Sequence, residues 1–216
     1  MTSMYRWAAL FACVVMAAGP ARSAQAAADD PVAQTIQAMQ QGGLVLVWRN
    51  TETERREADT DLLHLDNVQA QRPLSQSGER QAEALGRILR DLKVPVGAAY
   101  SSRFARSVET AKRAGFDPQP LDALTDGGST VTPEVAEERR DAFRKLINAA
   151  PAGGVNTLLV ADQGAIADAV SPELWGMREG EVVVLKKDPT AAQGFVAVGR
   201  VKLTELRDHW KLAAKN

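Results

Sequence analysis

The chain has 216 residues, of which 45% are apolar and 25% charged, enough to bury a substantial core in one domain. Its net charge of −1 gives electrostatics no reason to favour nucleic acid or an anionic membrane, and no basic run exceeds Arg55-Arg56 or Lys186-Lys187. The single cysteine, Cys13, excludes a disulfide within the chain.

The first 26 residues differ in character from the rest. Arg6 precedes an apolar stretch, Trp7 to Ala18, then Gly19-Pro20 and small residues. This is the order of a secretory signal peptide, with cleavage sites at Ala24-Gln25-Ala26 or Ala26-Ala27-Ala28. The apolar run is too short to be a transmembrane segment, which needs about 20 residues. Cleavage would remove Cys13, Arg6 and Arg22 and leave one domain from residue 27 to 216, periplasmic or secreted.

From there the elements follow in order. Residues 31–41 read as a helix stopped by Gly42-Gly43. Leu44 to Trp48 is a continuous apolar run, as in a strand buried on both faces, and it ends at Arg49-Asn50. Residues 51–72 are charged without a period and read as a long loop, its run Glu52, Glu54, Arg55, Arg56, Glu57 as solvated. Ser75 or Ser77 caps a helix to about Leu92, with Leu85, Ile88, Leu89 and Leu92 on its apolar face. Ala98 to Ser101 is a short strand, followed by a helix over about residues 103–114. Thr132-Pro133-Glu134 starts a helix whose core face is Phe143, Leu146 and Ile147. Thr157 to Val160 is a buried strand with a short helix, Ala165 to Val170, behind it. Two strands, Glu181 to Leu185 and Phe195 to Val201, and a helix from Leu203 to Leu212 complete the chain. Strands alternating with helices predict an α/β fold, a three-layer α/β/α sandwich with a mainly parallel (mixed) central sheet.

In such sheets ligands bind beyond the carboxyl ends of the strands. One strand ends at Arg49-Asn50, another at Ala161-Asp162-Gln163-Gly164, and the strand at 98–101 leads into a helix carrying Arg106 in its first turn. Arginines beside a helix N-terminus suit a phosphate, although they also serve as ordinary ion-pair partners.

Several segments together resemble one family. LVLVWRNTET is similar to the strand and loop that carry the Arg-His-Gly motif of the histidine phosphatase (phosphoglycerate mutase-like) superfamily. LSQSGERQAEALGRIL resembles the following LS-x-x-G-x-x-QA helix, and YSSRFARSVETA the YSS-x-x-x-R-x-x-x-TA segment. NTLLVADQGAI resembles the later strand that normally ends in histidine, and GEVVVLKKD and GFVAVGRV the closing strands of the secreted branch. The resemblance runs from about residue 34 to about 202.

It implies a phosphohistidine mechanism without metal or other cofactor. One histidine attacks phosphorus, two arginines and a second histidine hold the oxygens, and an acid protonates the leaving group. On that pattern Arg49 and Arg106 match the phosphate-binding arginines, Arg72 is a further candidate, and Glu52 and Thr53 match the Glu-Thr after the motif. The nucleophile position is Asn50, the second histidine position Asp162, and the motif's glycine Thr51. A carboxamide is not nucleophilic, so Asn50 cannot form the phosphoenzyme. A carboxylate at about 4 Å from a phosphate dianion is repelled by several kcal/mol at an effective dielectric of about 20. Asp162 is therefore expected to pair with Arg49 or Arg106 and to neutralise the pocket from within.

The two histidines, His64 and His209, lie away from strand ends and read as surface or packing residues. Arg103 stands where a proline is common and reads as solvated; Glu109 reads as structural; Trp48 as core. Asp126 and Glu134 lie where a general acid could arise. The expected function is an exported, catalytically degenerate pseudophosphatase with a binding or scaffolding role. Its partner would be a protein or a phosphorylated or anionic small molecule, not nucleic acid. The alternatives are a hydrolase with altered chemistry, such as Asp162 activating water, and an anion binder that uses the retained arginines.

Overall fold

A computed structural model describes residues 30–149, 151 and 153–214. The expected signal segment, its cleavage sites and Cys13 lie outside the described residues. The elements among them are α1 (Pro31–Gln41), β1 (Val45–Arg49), α2 (Gln76–Asp91), β2 (Val96–Ser101), α3 (Ala105–Arg113) and β3 (Gln119–Pro120). They continue with α4 (Pro133–Asn148), β4 (Asn156–Ala161), α5 (Gln163–Ala169), β5 (Val182–Lys187), β6 (Phe195–Val201) and α6 (Leu203–Ala213). No helix among them is long and apolar enough to cross a membrane.

The strands form one mixed sheet in the order β3-β2-β4-β1-β5-β6. The first four pair parallel and the last two join antiparallel. β1 is a run of apolar residues because both its faces are covered. Leu46 and Trp48 pack with Ile36, Leu85, Leu89, Ala111 and Leu206 under α1, α2, α3 and α6. Val45 and Val47 pack with Phe143, Ile147 and Ile166 under α4 and α5. The result is the expected three-layer α/β/α sandwich.

Local signals act where the sequence places them. Ser75, not Ser77, caps α2, its Oγ accepting from the Gly78 N–H at 3.0 Å. Thr132 caps α4 with Pro133 in its first turn. Beyond the end of α2, Lys93 turns the chain at φ 57°, and β2 begins just past Pro95. The loop over 51–72 is irregular apart from a single 3₁₀ turn, Val68–Ala70, and the Thr53–Leu74 bridge just past it. The last two strands begin and end within two residues of expectation, but Glu181 precedes β5 instead of opening it.

At the end of the sheet opposite the strand C-termini, one buried side chain ties three segments together. Asn156 accepts from Leu44 N–H at 3.2 Å and donates to the carbonyls of Met39 at 2.7 Å and Pro95 at 2.8 Å. Its removal would leave Leu44 N–H without a partner and take one donor each from the Met39 and Pro95 carbonyls, which keep those of Gly42 N–H and Asn156 N–H. Asn156→Ala should therefore lower unfolding stability by about 1–3 kcal/mol in urea titration; an unchanged midpoint would contradict this bracing role.

Candidate functional site

Three parallel strands end side by side. Arg49 of β1 is in register with Ala161 of β4, and Ser101 of β2 with Val160. The next residues, Asn50, Asp162 and Ser102, thus line one sheet edge. Backbone bonds hold them there: Asn50 N–H donates to Ala161 and Ser102 N–H to Val160. β5 runs the other way, so the turn before it arrives at the same edge. There Gly180 N–H donates to the carbonyls of Arg49 and Asn50.

Asp162 stands at the N-cap position just before α5, but its side chain makes no capping bond. Its fully buried carboxylate instead takes three donors: Ser102 Oγ–H at 2.6 Å and Asp126 N–H at 3.2 Å on one oxygen, and Arg106 Nε–H at 3.2 Å on the other. Burial raises its pKa, opposed first by the Arg106 charge and then by the Ser102 and Asp126 bonds. All three contacts are donors, a set that suits an ionised carboxylate.

Arg106 is itself buried, 7% exposed, with its guanidinium carbon 3.8 Å from the centre of the Phe104 ring. Besides Asp162, it meets a second acid. Both oxygens of Asp59, from the long loop, lie 3.0 Å from Arg106 Nη1, and one also accepts Arg72 N–H at 2.9 Å. One guanidinium is thus matched by two carboxylates. Gln71 secures the approach of the loop, its Oε1 accepting the Ala105 N–H at the start of α3.

Arg49 and Arg72 are less satisfied. Arg49 Nη1 donates to the Met177 carbonyl, while its Nε and that of Arg72 are buried without hydrogen-bond partners. Among the described residues neither is in an ion pair. Burial lowers the pKa of Arg49; Glu179 and Asp162 act in the opposite direction, Arg72 and Arg106 in the same one. The three arginines and Asp162 therefore share one electrostatic neighbourhood.

Asn50 is 4% exposed and its amide donates to the Thr51 carbonyl at 3.0 Å. Thr51 bonds Thr110 of α3: its N–H and its Oγ each lie 3.1 Å from Thr110 Oγ. Thr53 is buried and donates to Glu179 through its hydroxyl at 2.8 Å.

Glu52 corrects the reading of its segment as solvated. Its carboxylate accepts from Ser75 and Ser77 hydroxyls and from Gln81, at 3.2–3.3 Å. This explains the LS-x-x-G-x-x-QA pattern physically. Gly78 lies so close beneath the loop that a Cβ would fall 1.9 Å from the Glu52 carbonyl oxygen. Arg103 is also not simply solvated, pairing with Asp66 and Asp122 at the surface. Arg72 is in no ion pair among the described residues; its backbone, not its side chain, meets Asp59.

The remaining candidates separate cleanly. Asp126 touches Asp162 through its backbone and lies over Gly164, whereas Glu134 is exposed at the start of α4. His64 pairs with Asp61 on the surface, His209 is half-buried on α6, Glu109 pairs with Arg113 within α3, and Trp48 is fully buried. Asp59, Ser102, Gln71 and Glu179 are the functional neighbours that sequence reasoning missed.

The ion-pair geometry generates an ordered expectation. Asp162→Ala strips a buried cation and two other donors of their partner and should cost about 3–5 kcal/mol in chemical denaturation. Asp59→Ala removes a partly exposed partner and should cost less, about 1–2 kcal/mol. The reverse order would contradict the assignment of Asp162 as the principal counter-charge.

Comparison with known proteins places this edge in context. Residues 59–126 match the histidine phosphatase superfamily (branch 1), a span that contains Asp59, Arg72, the α2 motif and Arg106 but neither Asn50 nor Asp162. No curated protein sequence matches significantly. Among solved structures, the protein histidine phosphatase SixA complexed with tungstate aligns with a TM-score of 0.54 at 17% identity, over 76% of this chain and 99% of that one. A mutant phosphoserine phosphatase from Entamoeba histolytica in complex with phosphoserine aligns with a TM-score of 0.55 at 11% identity, over 76% of this chain and 98% of that one. At these identities the likeness is one of fold. The chain has the fold of the histidine phosphatase superfamily, with Asn50, Ser102 and Asp162 at the carboxyl edge of its sheet.

Proposed function

We propose that this chain is an exported pseudophosphatase: a histidine phosphatase-like domain without its phosphoryl-transfer chemistry, acting by binding. The observation that carries the reading is the state of Arg106. Its Nε and Nη1 face Asp162 and Asp59, so the charge that would hold a phosphoryl group is matched within the protein. An incoming phosphate would have to displace Asp59 and would still face the buried Asp162 carboxylate. Asn50 adds the second deficit, since its amide has no lone pair available for attack on phosphorus. Export rests on the character of residues 1–26.

The alternative in which Asp162 activates water is disfavoured by the same contacts. The carboxylate is buried and already accepts from Ser102 Oγ–H and Asp126 N–H on one oxygen and from Arg106 Nε–H on the other, so it is engaged in structure and shielded from an attacking water. The purified protein should release no phosphate from p-nitrophenyl phosphate above a buffer blank. Turnover that persists in Asn50→Ala would defeat the reading.

A second reading has one observation in its favour. Arg49 and Arg72 carry buried Nε–H groups without partners, and two adjacent cations attract an anion. On the first reading, sulfate leaves the melting temperature of the protein where an equal ionic strength of chloride does. On the second, sulfate raises it in a concentration-dependent way that Arg49→Ala with Arg72→Ala abolishes.

A further inference from the structure

A second cationic surface lies beside the closed centre. Two grooves meet along the α2 face and the turn before β5, sharing Gln81, Arg178 and Glu179. One carries Arg49, Arg55 and Trp175; the other carries Arg80 and Arg207.

The charges along this path are unequal in their freedom. Among the described residues, Arg55, Arg80, Arg178 and Arg207 are in no ion pair. Elsewhere on the surface, Arg103, Arg113 and Arg140 each pair with an acid, while the exposed Arg56 and Arg87 are likewise in no ion pair among the described residues but line neither groove. The acids of the grooves are turned to other partners. Glu52 is held by Ser75, Ser77 and Gln81, and Glu179 by Thr53. Glu181 is buried and accepts from Arg200 and from the Arg178 backbone. The carboxylates are thus consumed in building the grooves, and four guanidiniums are left without counter-charge.

Trp175 adds an apolar element. It is 56% exposed, a large aromatic beside Arg178 in an otherwise polar rim. Exposed tryptophan with several arginines and little lysine is the composition of a protein-recognition surface. The single lysine, Lys202, is paired with Glu205.

We infer that this double groove binds an acidic segment of a protein partner, its carboxylates on Arg55, Arg80, Arg178 and Arg207 and an aromatic or apolar side chain on Trp175. Guanidinium forks match carboxylates geometrically, and four uncompensated charges along one path favour an extended acidic chain over a single ion. The groove adjoins the phosphate centre through Arg49, which lines it, but among the described residues none of these five side chains is in an ion pair with Asp59 or Asp162.

The test is fluorescence anisotropy with a fluorescein-labelled glutamate-rich peptide carrying a central phenylalanine. A fluorescein-labelled lysine-rich counterpart serves as a separate probe and inorganic tripolyphosphate as a competitor. The acidic peptide should bind at low salt and lose affinity at about 0.5 M salt, and the lysine-rich probe should not bind. Arg80→Glu with Arg178→Glu should weaken it at least about tenfold, and Trp175→Ala several-fold. Lys186→Glu with Lys187→Glu imposes the same charge change at exposed residues of β5 outside the grooves and should leave binding within about twofold. Four of these side chains are exposed and Arg207 is half-buried, so circular dichroism can confirm that each variant folds. No binding at low salt, equal weakening by the two charge-reversed pairs, or binding of tripolyphosphate without the peptide would each overturn the inference.

Discussion

A buried arginine must be matched, and the answer given to Arg106 organises the whole carboxyl edge of this sheet. An uncompensated guanidinium at that depth would cost several kcal/mol. Asp162 supplies the first counter-charge and is itself held by Ser102 and Asp126, so the ends of β2 and β4 and the chain before α4 meet on one carboxylate. Asp59 supplies the second and brings the long loop down across the site, with Arg72 fixed behind it. Loop position, strand-end chemistry and pocket charge are consequences of a single electrostatic requirement.

Structures of similar fold include one complexed with tungstate and one with phosphoserine. In this chain the scaffolding around the site is closely braced. The Glu52 clamp onto α2, the close passage over Gly78 and the Thr51–Thr110 contact all place the β1 loop firmly. Asn50 is thus held in position at the end of β1 without the chemistry that position would need to attack phosphorus. A firmly placed loop around an internally matched Arg106 is the combination on which the proposed binding role rests.

Much of this was legible in the sequence because it depends on local signals. The uninterrupted apolar run ending at Arg49 predicts a strand covered on both faces, Ser75 and Thr132 are cap residues, and Pro133 opens α4. The motif residues placed Asn50, Arg106 and Asp162 near one another because parallel strands bring their ends together. The choice of Arg106 over Arg49 as the partner of Asp162 was not legible, since it depends on helix α3 presenting Nε across the sheet edge. Asp59 was invisible for a different reason. It lies in an aperiodic charged loop and meets Arg106 across 47 positions of sequence, where neither spacing nor propensity carries information. Glu52 was misread as solvated because its serine and glutamine partners act only once α2 has docked.

The central claim is that internal carboxylates have taken the place of an anion on Arg106. Calorimetric titration of tungstate into the protein and into an Asp59→Asn, Asp162→His variant tests it most directly. The account predicts no saturable heat with the parent chain and one-to-one binding in the folded variant, where Arg106 is released. Stoichiometric, micromolar binding of tungstate by the parent chain would contradict it.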